Sequence, residues 1–206
     1  MRLVRIALLA ALCQLGLLAP GWAKDDFFPQ ANFNPEIPTP EDYLGHDIGD
    51  ILIRYDQVMG YLELLASRSE RLQLQTIGYS HERRPIKLLT VTDPANFSRL
   101  NEIQKAHVAL SDRNQASEVR SDMPVVTWLN YGVHGDEISG IETVIGVAYF
   151  LAAVQDPEWE KIFRESIILN IATFNPDGRD RSAIWYNMHN AKVPVADKAH
   201  REHYIP

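Results

Sequence analysis

His134 and Glu137 stand three residues apart in the stretch YGVHGDEISG, with Gly135 and Asp136 between them. An imidazole and a carboxylate at this spacing form a donor set for zinc, which takes nitrogen and oxygen ligands at about 2.0–2.2 Å. Catalytic zinc sites use three protein ligands and leave a position open for water, so two donors close in sequence require a third from far away. Gly135 lets the chain bend sharply enough for both donors to face one ion. A competing reading needs no metal: Asp136 and Glu137 precede an apolar helix, where acids stabilise the positive end of the dipole by about 0.3–1 kcal/mol each. With 7 histidines in the chain an H-x-x-E pattern recurs readily by chance, so the spacing alone leaves both readings open.

The elements around the corner decide where those side chains go. VVTWLN (125–130) reads as a nearly uncharged strand, and 138–153 as a helix with Ile141, Val144, Ile145, Ala148, Leu151 and Ala152 on one face. SIILNIATF (166–174) reads as a second apolar strand, closed by the turn NPDG (175–178). Strand, helix and strand in this order imply a parallel pair covered on both sides. His134 then falls at the carboxyl end of the first strand, where open α/β sheets place their sites. Upstream, 50–69 carries apolar residues at helical spacing, LQLQTIGYS (72–80) and IKLLTVT (86–92) form a hairpin across HERRP (81–85), and 97–110 is a short helix. The expected fold class is α/β, with a mixed, largely parallel sheet covered by helices on both faces.

The termini set the context. Arg2 and Arg5 precede an apolar run from Ile6 to Leu18, and Gly21 and Ala23 stand at the positions of a cleavage site before Lys24, so 1–23 is expected to be a signal peptide. That run is too short for about 30 Å of hydrocarbon at roughly 1.5 Å per residue, which argues against a permanent membrane segment. The single cysteine, Cys13, lies in the leader, so a periplasmic or secreted product without disulfides is expected. The formal charge of -7 becomes more negative once the leader's two arginines are removed, a surface that repels nucleic acid. Residues 24–50, with four of the 12 prolines, read as an extended N-terminal arm or linker. A composition of 46% hydrophobic and 23% charged residues suits one globular unit over 51–206.

Four segments in register resemble the M14 zinc carboxypeptidases over roughly residues 40 to 181. YGVHGDEISGIET is similar to the segment in which that family runs a strand into an H-G-x-E corner, and IGYSHERRPIKLLTVT to its G-x-S-x-E-G-R-P-I hairpin. RYDQVMGYLELLASRSERLQLQTIG resembles the opening helix and strand, and ATFNPDGRDR the N-P-D-G turn. The resemblance implies a zinc cofactor, a peptide substrate, an α/β/α sandwich, and His134 and Glu137 as the first two metal ligands. It implies hydrolysis of C-terminal peptide bonds, with zinc polarising the scissile carbonyl and lowering the pKa of its water toward about 7. Asp136 departs from the basic residue of pancreatic-type members, and Arg83 replaces the usual glycine of the hairpin signature.

The rest of the family's machinery, a second histidine ligand, an Asn-Arg clamp for the terminal carboxylate, a tyrosine and a glutamate base, is expected downstream of the N-P-D-G turn. No Asn-Arg pair follows that turn here. Residues 51–206 are therefore expected to be the N-terminal part of such a domain, inactive alone, with unpaired strand edges and no assigned catalytic base. HREH (200–203) and His189 are read as a solvated tail, and Arg179 and Arg181 as a solvated loop in preference to an oxyanion site. Two alternatives stand beside the peptidase: a zinc-dependent deacylase of the aspartoacylase and succinylglutamate desuccinylase type, and a non-catalytic zinc-binding remnant.

Overall fold

The computed structural model describes residues 31–114 and 122–190; the leader and the histidines of 200–203 lie outside them. Four strands, β1 (Leu72–Tyr79), β2 (Pro85–Val91), β3 (Val125–Asn130) and β4 (Ser166–Ile171), form one sheet in the order β1-β2-β4-β3. β1 and β2 are the expected antiparallel hairpin, with an irregularity between Thr76 and Gly78. β2 pairs antiparallel with β4 through Leu89 and Asn170, and β3 runs parallel to β4 from Val125 opposite Ser166 to Asn130 opposite Ile171. The sheet is mixed α/β as expected. Its parallel pair is the strand-helix-strand unit, and the hairpin docks antiparallel on that unit's inner strand.

The helices are α1 (Pro40–Leu44), α2 (Tyr55–Arg68), α3 (Pro94–Phe97), α4 (Leu100–Ser111), α5 (Ile138–Ala153), α6 (Pro157–Glu165) and α7 (Pro176–His189). α5 is the central one. Ile141, Val144, Ile145, Ala148, Leu151 and Ala152 are buried as their spacing predicts, and Tyr149 and Phe150 are buried too, so the helix is enclosed nearly all round. α2 packs Val58, Met59, Leu62 and Leu65 into the same core against α5 and β1. It begins at Tyr55, later than its apolar pattern suggests, because the side chain of Gln57 accepts from the Arg54 N–H at 3.0 Å while Leu52 and Ile53 stay extended and buried.

The arm is more ordered than a linker from residue 31 on. Asn34 N–H donates to Ala153 O at 2.8 Å, Phe33 lies against Tyr149 and Phe150, and Ile37 is buried. Thr39 caps α1 in a reciprocal capping box with Asp42, and Pro40 occupies the first turn. α6 has no counterpart in the sequence reading: Pro157 follows Asp156 at a helix start, and Trp159 packs edge-on to Phe150 at 4.8 Å between centroids.

β4 buries Ile167, Ile168 and Ile171. β3 is an outer strand among the described residues, and leaves Val125 64%, Val126 40% and Trp128 57% exposed. Residues of both parities are exposed, so neither face of this strand is fully covered. No described helix is long and apolar enough to cross a membrane.

Candidate metal centre

The ladder between β3 and β4 continues past both strands. Tyr131 N–H donates to Ile171 O at 2.9 Å, Phe174 N–H to Tyr131 O at 2.9 Å, and Asn175 N–H to Gly132 O at 2.9 Å. The segments leaving the two parallel strands therefore run together to the carboxyl edge of the sheet. Gly132 turns there with φ 63, and a Cβ on it would stand 2.9 Å from the Ile141 side chain.

Gly135 is packed more tightly still. A Cβ there would overlap Gly178 C and O and Arg179 N, so the corner lies backbone to backbone on the N-P-D-G segment. On either side of Gly135, His134 and Glu137 are exposed. Glu137 is the N-cap residue of α5, and its N–H approaches His134 O at 3.4 Å. Its side chain makes no cap hydrogen bond. That carboxylate is thus not engaged with an orphan N–H of the first turn, while its place at the positive end of the helix also suits the dipole reading.

One imidazole and one carboxylate, exposed at a single sharp corner, suit zinc as two of its protein ligands. No group of three or more His, Cys, Asp or Glu that could hold a metal occurs among the described residues. His189 sits apart at the end of α7, with Nδ1 2.8 Å from Trp185 O and its ring stacked on Trp185.

N-P-D-G starts a helix; it does not merely close a strand. Asn175 is the N-cap of α7 and its side chain accepts from Gly178 N–H at 3.0 Å, while Pro176 occupies the first turn. Asp177 reaches back to the hairpin. It accepts from Ser80 Oγ at 2.7 Å, from Glu82 N–H at 3.0 Å and from Arg84 at 2.7 Å, and Arg84 also meets Asp180 at 3.0 Å. Burial works to raise the Asp177 pKa, but these hydrogen bonds together outweigh it and hold the carboxyl below its ordinary value. The turn that presents them has Arg83 at φ 67, the left-handed region that explains why glycine is the usual residue there.

Arg179 corrects the sequence reading outright. Expected in a solvated loop, it is 0% exposed; it donates from Nε to Ile53 O at 2.7 Å and pairs with the Glu142 carboxylate. Glu142 Oε1 also accepts from Ile53 N–H at 3.0 Å. Helix formation at Pro176 turns the first turn of α7 inward, and Glu142 supplies the partner that a buried guanidinium needs. The sequence signal was Glu142 itself, an acid on the apolar side of a buried helix. Arg181 is exposed.

A family model for zinc carboxypeptidases matches residues 58–196. The chain belongs to the M14 zinc carboxypeptidase family. Among solved structures, carboxypeptidase A from Helicoverpa armigera is similar at 20% identity and a TM-score of 0.47, over 70% of this chain and 28% of that one. A metallo-carboxypeptidase from Burkholderia cenocepacia is similar at 16% identity and a TM-score of 0.43, over 73% of this chain and 35% of that one. This chain thus spans about a third or less of the length of either. No match was found among curated proteins.

Proposed function

We propose that His134 and Glu137 are two zinc ligands of a metallocarboxypeptidase that hydrolyses C-terminal peptide bonds. The observation that carries this reading is the corner itself. The β3–β4 ladder delivers His134 and Glu137 to the carboxyl edge of the sheet, Gly135 rests on the N-P-D-G helix start, and Glu137 occupies an N-cap without capping. A zinc ion bound there supplies a Lewis acid for the scissile carbonyl and an acidified water. The chain's own part is to hold one imidazole and one carboxylate at a corner packed backbone to backbone on the Gly178–Arg179 segment. Among the described residues no third donor joins His134 and Glu137, so these residues are expected to bind zinc without turning over peptide.

Family membership favours the peptidase over the N-acyl amino acid deacylase. We further read 1–23 as an export leader, which amino-terminal sequencing of the exported product tests by a start at Lys24.

The decisive experiment is a Zn2+ titration of the full chain, with affinity from calorimetry and the place of binding from NMR shifts at the corner. The expected result is a saturable shift at His134 and Glu137 that His134→Ala and Glu137→Ala each weaken at least about tenfold. Unchanged zinc affinity in both variants would overturn the assignment.

A further inference from the structure

We propose that the buried Glu142–Arg179 pair is a positioning device for the metal corner, holding the first turns of α5 and α7 in fixed relation so that Glu137 keeps its place. This rests on the reading of His134 and Glu137 as ligands.

The pair gathers three segments at one point. Glu142 Oε1 takes the Ile53 N–H at 3.0 Å as well as the guanidinium, and Arg179 Nε gives to the Ile53 carbonyl at 2.7 Å. Both ends lie close to the proposed site. Glu142 follows Glu137 by five residues of helix, about 7.5 Å at roughly 1.5 Å per residue. Arg179 directly follows Gly178, whose backbone is the surface on which Gly135 rests. The corner is thus held from the helix side by Glu142 and from the turn side by Gly178.

Stability alone is a poor reason for such a pair. Buried ion pairs lose so much hydration that apolar residues of similar volume often do as well or better. Here the satisfaction is also incomplete: Glu142 Oε2 and Arg179 Nη1 are buried without a hydrogen-bond partner. A bidentate pairing would have used both oxygens. Burial draws the Arg179 pKa downward and Glu142 opposes that, so the guanidinium depends on its partner. What the arrangement does provide is direction, because a guanidinium fork and a shared carboxylate oxygen fix the relative rotation of α5 and α7 as apolar contacts would not.

The test uses the full chain and Zn2+ alone, with affinity from calorimetry and stability from thermal melting. The variant E142M/R179M replaces the pair by apolar residues of similar volume. The expected result is a melting temperature at or above that of the parent together with zinc affinity weakened about tenfold. A purely structural pair predicts the opposite, with melting changed and affinity within twofold, and that outcome overturns the proposal. Should the double variant fail to fold, E142D decides. It keeps the charge but sets the carboxylate back by one methylene; at least threefold weaker zinc binding is expected, and parental affinity refutes the idea. His134→Ala run in parallel separates the two readings. If it leaves zinc binding intact the metal assignment fails, whereas if it abolishes binding while both pair variants bind as the parent does, only the positioning role fails.

Discussion

Gly135→Ala tests the contact on which the site depends. The added methyl would overlap Gly178 C, Gly178 O and Arg179 N, all backbone atoms, where carbon contacts normally settle at about 3.5–4.0 Å. No flexible side chain can swing away. Either the corner lifts off α7 or the first turn of α7 moves, and that turn is anchored by the Asn175 cap and the buried Arg179. Overpacking of this kind costs about 1–3 kcal/mol. For a domain of this size 1 kcal/mol corresponds to roughly 2–4 °C, so a fall of about 2–12 °C in melting temperature is expected. Gly140→Ala is the matched control five residues on. A methyl there meets only Tyr131 Cδ1 at 4.0 Å, so the greater helix propensity of alanine should add about 0.5 kcal/mol. Thermal melts of both variants, with Zn2+ titration of each, should show Gly135→Ala less stable and weaker in zinc binding and Gly140→Ala slightly more stable. A Gly135→Ala protein that melts within about 1 °C of the parent would mean the corner does not rest on the N-P-D-G segment.

Two further predictions concern the hairpin contact. Because the folded pKa of Asp177 is depressed, its contribution is fully present above the ordinary carboxyl value of about 3.9 and is lost as pH falls through the folded value. Asp177→Asn should therefore lower the urea midpoint more at pH 7 than at pH 3, and an equal loss at both would contradict the network. Arg83→Gly relieves a left-handed residue worth about 1–2 kcal/mol and gives back about 0.5–1 in unfolded-chain entropy. A net gain of up to about 1.5 kcal/mol is expected in urea unfolding, and a net loss would mean that the Arg83 contact over the Tyr79 ring outweighs the strain.

Local signals carried much of this fold. β3 and α5 match their apolar runs to the residue, because a short uncharged run and a 16-residue apolar run differ plainly in length. The hairpin followed from alternation and a proline-closed polar turn, and the H-G-x-E corner from the strand-to-helix junction. Where reading failed, it failed on pairs of possible meanings for one short word. Asn-Pro-Asp-Gly satisfies a turn and a helix start equally well, since asparagine caps and proline fits the first turn. Choosing the turn hid α7, and with it the inward face that buries Arg179. α6, which starts at Pro157 after Asp156, drew no sequence reading at all.

The long-range part was not legible because nothing local encodes it. Gly135 and Gly178 are each ordinary in sequence; only the β3–β4 ladder, extended through Tyr131, Gly132 and Asn175, brings them into contact. Glu142 reads as an anomaly on an apolar helix until Arg179 and Ile53 are placed beside it. The H-G-x-E corner and the N-P-D-G helix start are two halves of one contact, since the bare Cα of Gly135 is what leaves room for the Gly178 carbonyl and the Arg179 nitrogen. A side chain at Gly178 would meet the Asn175 cap first, 2.6 Å from its Nδ2, and would reach Glu137, 41 residues earlier in sequence, by moving the turn on which Gly135 rests.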